Sequence, residues 1–523
     1  MNSASMLPTT TDRFQPKWRV TPLRLVVGLT LFALALRLIG LGSRPLWLDE
    51  AFSAWFSDRS FHYLWTVVPT YEPHPPLYYS ILKLWRDAVG PGHAEMRMLS
   101  VLLGAAAIPF VMAAAFEQER HEATRRPLLR AGIAGFLTAC SPVLMVLDQE
   151  ARPYPLLTLA YAAAVLGLLR LMREFKEGTP GAWKSWLLLG ASTELALWSH
   201  GLGALYAACL ALALLPPWLS GPAQRVRLIR GLVTAALIAV VYLPCLLMVA
   251  GRAKDWGATW LEWHPGDLIF KVIGLYTVSG EALTIGSAVA ALAMLLLIKR
   301  SLVSTYVSKG WNTDRALLLL WWGPVALAAL ISALFAPVFM PRTLSATLVP
   351  AYLAIAGALA RTDGPRERRV LAAAVCVALA PAALAMALRP ASERWDLLAN
   401  CLVRNVGPAD QVWLYPSDSA LPLAEVGQPI PGTLRAIPAP FPSLGVKGLL
   451  RGGWPAVVSV TPRQANALAS DPALQRVPVI WLVTRQSDIF DPHGDMPAAL
   501  ARVRRAGPAR HWGYIEVRPY YAR

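Results

Sequence analysis

Long apolar runs alternate with short basic loops through residues 1–388 of this 523-residue chain. The runs fall at about 23–40, 98–117, 131–147, 156–172, 185–199, 202–217, 231–250, 281–298, 315–334, 344–360 and 370–388. Many approach or exceed the roughly 18 residues that a helix needs to cross the hydrocarbon core, and they are too long and continuous for barrel strands. The pattern predicts about eleven transmembrane helices. Lys and Arg gather on alternate sides of the runs: Arg120, Arg125, Arg126 and Arg130, then Arg170, Arg173, Lys176 and Lys184, then Arg225, Arg227 and Arg230, then Lys299 and Arg300, then Arg361, Arg366, Arg368 and Arg369. By the positive-inside rule these loops and the N-terminus are cytoplasmic, and the loop over 41–97 is outside. A second outer segment covers 251–280, within which Phe270 to Tyr276 is apolar enough to dip into the membrane.

After residue 389 the period changes. Gln411–Tyr415, Ala456–Val460 and Val477–Val483 are short β-branched or aromatic runs bounded by Pro, Asp or Ser, which predict strands. Helical stretches alternate with them at Ser419–Val426, Pro462–Ala469 and Pro497–Ala506. The expectation is a transmembrane domain over 1–388 and a small extracytoplasmic α/β domain over 389–523. Neither a Gly-rich phosphate loop nor an internal repeat is visible.

Composition sharpens this reading. The chain is 55% hydrophobic and 15% charged, against about 25% charged in a soluble domain. Its net charge of +17 would suggest nucleic acid in a soluble protein, but the basic residues are accounted for by the inner loops, so no nucleic-acid partner is expected. Cys140, Cys209, Cys245, Cys376 and Cys401 are scattered and have neither metal-ligand spacing nor a disulfide framework. The first apolar run follows Arg13, Lys17, Arg19 and Arg24 and lacks a small-residue cleavage site, which reads as a retained signal anchor.

The first outer loop carries the candidate chemistry. Leu48, Ala51, Phe52, Trp55 and Phe56 recur at helical spacing and predict an amphipathic helix lying in the membrane interface, with Trp at headgroup level. Pro75-Pro76 open a second helix, Leu77 to Ala88, which Gly90 stops. Asp49 and Glu50 fall at the start of the first helix. There a carboxylate suits the free N–H groups and the dipole, but two adjacent acids at a membrane surface also read as chemistry. His74 has the same two readings. A second acidic turn, Asp148-Gln149-Glu150-Ala151-Arg152-Pro153-Tyr154, lies at the outer end of the third run; a plain Glu150–Arg152 ion pair is the simpler reading of it.

Four motifs occur in order at one membrane face: Trp47-Leu48-Asp49-Glu50-Ala51, His74-Pro75-Pro76-Leu77-Tyr78-Tyr79, Gln149-Glu150-Ala151-Arg152-Pro153-Tyr154, and Pro341-Arg342-Thr343-Leu344 with Pro350. In these, over residues 20–360, the chain resembles the polytopic glycosyltransferases of the GT-C superfamily, which include protein O-mannosyltransferases, aminoarabinose lipid A transferases and bacterial relatives. Thr343 departs from the pattern, since relatives often carry Tyr there. In the C-terminal part only Arg394-Trp395-Asp396 loosely resembles a family segment. The resemblance implies a helical bundle whose first outer loop sits over a lipid-facing cavity. It also implies transfer of a sugar from a polyprenyl phosphate to an acceptor hydroxyl, usually with inversion, and it matches Asp49 to the family's general base.

The residue types suit that chemistry. Lipid phosphate is a capable leaving group that needs charge neutralisation more than protonation, and the donor fork of arginine can hold its oxygens. Arg152 and Arg342 are best placed by topology, with Tyr154 and His74 beside them as substrate-binding candidates. Arg37, near the outer end of the first run, can snorkel to a phosphate or serve as a headgroup anchor. A positioned carboxylate that takes the acceptor proton contributes roughly 10²–10⁴-fold. Asp49 is the expected base and Glu150 its understudy, while Glu50 and Glu150 can also hold the acceptor or the arginines. The scheme requires no cofactor and no metal, although Glu72, His74, His200 and His264 could meet at the outer surface.

Two other classes are compatible with a polytopic chain. A transporter or lipid flippase favours ionisable residues near the midplane, broken helices and repeats. Here the acids Asp49, Glu50, Glu72, Asp148, Glu150, Asp255 and Glu262 cluster at the outer face, with Glu194 the main exception. A non-catalytic assembly protein would use its outer domain to bind a partner. The expected partners are a polyprenyl-phosphate sugar, a lipid, glycan or protein acceptor, and membrane lipids. The Ala/Leu/Arg-rich composition points to a bacterial inner membrane.

Overall fold

The first apolar run becomes a helix where it can be capped: Thr21 accepts a hydrogen bond from the Arg24 N–H at 3.3 Å and Pro22 takes the first helical position. The computed structural model of the chain describes residues 21–70, 72, 74–122, 126–251, 263–273, 285–307, 310–441 and 460–523. In order, the helices before the first bend are α1 (Pro22–Leu38), α2 (Leu48–Ser57), α3 (Phe61–Thr66), α4 (Leu77–Val89), α5 (His93–Glu122), α6 (Pro127–Ala139) and α7 (Pro142–Asp148). Next come α8 (Tyr154–Lys176), α9 (Trp183–Ser199), α10 (Gly203–Trp218), α11 (Gln224–Ala250), α12 (Leu268–Ile273), α13 (Ile285–Val307), α14 (Thr313–Leu334), α15 (Leu348–Ala360) and α16 (Pro365–Ala387).

These helices make a multi-pass membrane bundle. Among the described residues six are long and apolar enough to span a membrane, or seven if α6 and α7, bent by 55° at a short break, form one span. Hydropathy alone predicts about eleven. Within the described residues each predicted run coincides with helix, but α1, α9 and α10 have only 17, 17 and 16 residues. At 1.5 Å per residue these reach roughly 25 Å, short of the ~30 Å hydrocarbon core. The run expected to dip into the membrane is described only as far as Ile273, where α12 is a single short helix; residues 274–276 lie outside the described residues, as do Asp255 and Glu262.

The bundle is built around α5, α8 and α15. All residues of α15 are buried, whereas α11 presents Leu232, Leu237, Val240 and Leu247 outward as a lipid-facing helix should. Close approach at the centre is made possible by small residues: a Cβ on Gly104 of α5 would strike the Asp148 carboxylate at the end of α7.

The C-terminal part contains α17 (Trp395–Asn405), α18 (Ala420–Val426), α19 (Pro462–Ala469), α20 (Ser487–Phe490) and α21 (Asp495–Val503) around one sheet. Its strands are β1 (Gln411–Tyr415), β2 (Thr433–Ala436), β3 (Val479–Arg485), β4 (Arg505–Ala506), β5 (Arg510–Trp512) and β6 (Ile515–Tyr521). The order is β2-β1-β3-β6-β4, with β5 also on β6. β2, β1 and β3 are parallel, and β6 runs antiparallel to β3. The strand expected at Ala456–Val460 lies outside the described residues except for Val460, which is not in a strand. The helix expected over 497–506 ends at Val503, and Arg505–Ala506 join the sheet instead.

The aromatic face of α2 is packed against protein, where its amphipathic pattern suggested a face left for the headgroups. Leu46, Trp55, Phe56 and Tyr79 share one hydrophobic core with Trp395, Leu398, Val412, Leu421 and Trp481 of the C-terminal part. Phe52 and Phe441 meet edge-on with ring centroids 6.3 Å apart. The aromatic face that would have sought headgroups is covered by protein, and each such side chain fully buried contributes roughly 1.5–3 kcal/mol.

Candidate active site

α2 places its two acids on different sides. Trp47 precedes the helix and offers no side-chain cap, so Asp49 and Glu50 both fall in the first turn. One helical step of 100° then separates their directions. Glu50 points into protein and is fully buried. It accepts from Arg97 Nε at 2.7 Å and Arg97 Nη2 at 2.6 Å, and from the Ala151 N–H at 2.9 Å. Burial alone would push its carboxyl pKa up, but the Arg97 pair and these hydrogen bonds outweigh it and hold the pKa below the ordinary value. Glu50 thus holds an arginine, as one sequence reading allowed. That arginine is Arg97 on α5, and the pair ties α2 to α5 and to the 149–153 turn.

Asp49 points the other way, into a cluster. Its Oδ2 lies 3.2 Å from Arg342 Nη2 and 3.8 Å from Arg152 Nη2. Arg152 Nη1 also donates to the Asp49 carbonyl at 3.2 Å and to Tyr79 Oη at 3.4 Å. Arg342 stacks over the Trp47 ring, 5.4 Å from its centroid. Tyr79 donates to Glu72 at 3.1 Å, and Glu72 lies 3.7 Å from His74 Nε2. The His74 and His200 rings are 4.3 Å apart, and Tyr154 stands 5.7 Å from His200. Asp49, Arg152, Arg342, Tyr154 and His74 therefore converge, although they come from four separate stretches of chain.

The cluster has unmet hydrogen-bonding capacity. The Leu202 N–H donates to His200 Nδ1 at 3.0 Å, which leaves the neutral ring's proton on Nε2. That Nε2, His74 Nδ1 and Arg152 Nε are buried without a partner among the described residues. Burial, with Arg152 and Arg342 close by, takes the His200 pKa down to about 3. Burial, His200 and the same arginines lower that of His74. Both rings are neutral near pH 7. Glu72 is shifted upward by burial, with Arg152 opposing.

Glu150 borders the same cluster. Its ion pair is with Arg389, at 3.9 Å, rather than with Arg152. Burial pushes its pKa up to about 7, with Arg389 pulling the other way. Arg389 was not singled out from the sequence; an arginine immediately after the last apolar run, at the end poor in basic residues, was the available signal.

Arg37 is not available to a phosphate. It is fully buried and donates to Asp148 at 2.7 Å, to the Ala139 carbonyl at 3.0 Å, to the Thr138 carbonyl at 3.2 Å and to the Ala33 carbonyl at 3.3 Å. Neither snorkelling nor headgroup anchoring describes it; it ties α1 to the α6–α7 bend. Glu72, His74 and His200 do adjoin, but among the described residues no three His, Cys, Asp or Glu side chains are grouped to hold a metal ion. His264 sits apart from them in the chain's course, just before the turn Pro265–Asp267.

No family model matches this sequence, and no curated protein sequence does. Three-dimensional comparison finds solved proteins that share the fold of this chain. It is similar to ArnT from Cupriavidus metallidurans bound to undecaprenyl phosphate, with a TM-score of 0.57 and 14% identity over 94% of this chain and 97% of that one. It is similar also to the oligosaccharyltransferase AglB from Archaeoglobus fulgidus in complex with an inhibitory peptide and a dolichol-phosphate, with a TM-score of 0.54 and 13% identity over 96% and 74%. The mycobacterial arabinofuranosyltransferase AftD gives a TM-score of 0.50 and 16% identity over 97% of this chain and 40% of that one. The chain shares the fold of these membrane proteins, a helical bundle as the resemblance implied. At these identities the likeness is one of fold.

Proposed function

We infer that this protein is an integral-membrane glycosyltransferase that moves a sugar from a polyprenyl phosphate to an acceptor hydroxyl, with Asp49 as general base. The observation that carries this reading is the Asp49 carboxylate held by Arg342 at 3.2 Å and loosely by Arg152 at 3.8 Å, beside buried polar atoms that lack partners. An unpaired buried donor or acceptor costs roughly 1–3 kcal/mol, which a bound ligand recovers. The fold shared with ArnT and AglB, whose structures hold undecaprenyl phosphate and a dolichol-phosphate, supports a lipid-phosphate donor.

Donor phosphate competes with Asp49 for the two guanidiniums and frees its carboxylate as it binds. Asp49 then takes the acceptor proton while the acceptor oxygen bonds to C1. The C1–O bond to phosphate breaks, and its electron pair leaves with the lipid phosphate, which Arg342 and Arg152 stabilise. His74, His200 and Tyr154 offer neutral donors and acceptors for sugar hydroxyls. The site faces the extracytoplasmic side of a bacterial inner membrane in this reading. No metal enters the scheme. Whether the sugar is a hexose or a pentose depends on this pocket.

A second reading gives the proton to Glu150, because a carboxyl whose pKa is raised to about 7 is a better base near neutral pH. The test is release of free lipid phosphate by purified protein in lipid, from a panel of polyprenyl-phosphate sugars with lipid, glycan and peptide acceptors. Asp49→Asn is expected to lose roughly 10²–10⁴-fold in kcat while melting like wild type. Loss in Glu150→Gln alone would move the base to Glu150. Movement of lipid-linked sugar without its consumption would replace the enzyme with a transporter.

A further inference from the structure

Glu393 reaches α2 from the far end of the chain. Its Oε2 accepts the Leu48 N–H at 3.1 Å, across 345 residues of sequence. Leu48 is the first residue of α2, and the residue before it, Trp47, has no side-chain oxygen with which to cap the helix. The carboxylate that fills this role comes from the segment entering the sheet, and it is held on every side. Trp395 Nε1 donates to the same Oε2 at 2.8 Å. Oε1 lies 3.6 Å from Arg485 Nη1, and Arg485 Nη2 lies 3.4 Å from Asp418 Oδ2. Glu393, Arg485 and Asp418 are all buried. The backbone is fixed as well: Glu393 bridges to Gly513, and the Tyr514 N–H donates to the Ser392 carbonyl at 2.9 Å. Gly513, at φ +67°, is required there, because a Cβ would strike that carbonyl oxygen.

We propose that Glu393 is a positioning residue for Asp49: from the sheet it supplies the missing cap of α2 and so fixes where the neighbouring Asp49 carboxylate meets Arg342 and Arg152. The C-terminal domain then acts in the chemistry through one carboxylate, in addition to any contact with an acceptor. Removing the cap frees the first turn of α2 and lets Asp49 drift from its two arginines. A shift of about 1 Å at a reacting group costs on the order of 10²-fold in rate. The proposal rests on Asp49 being the base, so its test includes a measurement that is independent of sugar transfer.

Hydrogen exchange over residues 47–52 and steady-state transfer are measured on the full-length protein in lipid. Glu393→Ala is expected to speed exchange in that stretch and to lower kcat roughly 10- to 100-fold, with KM for the donor within about twofold. Glu393→Gln, which keeps an oxygen at the same reach, is expected to restore both. Glu393→Asp keeps the charge but is one methylene too short, so it behaves like Glu393→Ala and replaces it if the alanine variant does not fold. Unchanged exchange in both Ala and Asp variants, or a Gln variant as slow as Ala, would overturn the proposal. Full turnover in Asp49→Asn would sink the base assignment instead, and the exchange comparison would then decide the cap by itself.

Discussion

Two carboxylates in this protein each sit between two arginines, at opposite ends of α5. Glu122, its last residue, accepts from Arg130 at 2.6 Å and from Arg361 at 2.7 Å, and Gln118 donates to it at 3.2 Å. Arg361 continues to Asp314 at 3.2 Å. Asp49, at the other end, has its arginines at 3.2 and 3.8 Å, longer than both arginine contacts of Glu122. The residue types are the same, but one carboxylate is saturated and the other is not. A saturated pair locks helices together, whereas an unsaturated one can exchange its arginines for a ligand. The contrast recurs within a single turn of α2, where Glu50 is saturated and Asp49 is not.

The largest expected effect tests the saturated side. Glu50→Gln strands the buried Arg97 guanidinium and is expected to cost roughly 3–5 kcal/mol of stability, read as a fall in melting temperature. Glu122→Gln is expected to do the same at the other end without altering the KM of any protein that remains folded. If either variant melts like wild type, the division into structural and reactive carboxylates fails.

Glu150 gives the next effect. The folded protein holds its proton up to about pH 7, while the unfolded chain releases it near the ordinary value of 4.5. Stability from this group therefore falls as pH rises through that window and is flat above it, by on the order of 3 kcal/mol. Glu150→Gln is expected to melt higher than wild type at pH 8, and the gap should close toward pH 5. A constant gap across that range would contradict it.

Arg342→Lys keeps the charge but loses the two-pronged geometry, and is expected to lower kcat roughly 10- to 100-fold. Arg361→Lys, at the saturated end, is expected to leave kcat within about twofold of wild type. The smallest effect belongs to Arg394 and Asp396, an ion pair at 2.7 Å with both side chains more than a third exposed. Arg394→Ala is expected to change stability by about 0–1 kcal/mol. A large loss of activity there would assign this family-like segment a role beyond its own ion pair.

The parts legible in the sequence were those governed by local rules. Pro75-Pro76 and Gly90 bound α4 because proline suits a helix start and Gly90, at φ +129°, can end one. The four motifs located five of the converging side chains. What could not be read depends on partners far away in the chain. Glu50 and Asp49 look alike until Arg97 chooses one of them, and Arg37 looks like an anchor until three carbonyls and Asp148 surround it. β6 was missed because Pro519 interrupts a run that otherwise alternates, yet it pairs with β3 across Trp481. Of the eleven predicted runs, α1, α9 and α10 are the short ones, because hydropathy registers apolar character but not where a helix stops.

Synthesis order gives the shared core under α2 a further meaning. The helix that carries Asp49 leaves the ribosome 345 residues before Glu393, the group that caps it. At roughly 5–20 residues per second that is an interval of about 20–70 s during which Trp55 and Phe56 lack the cover of the C-terminal part. Until then the nascent chain presents part of an aromatic surface, and a protein truncated late in translation is expected to be prone to aggregate.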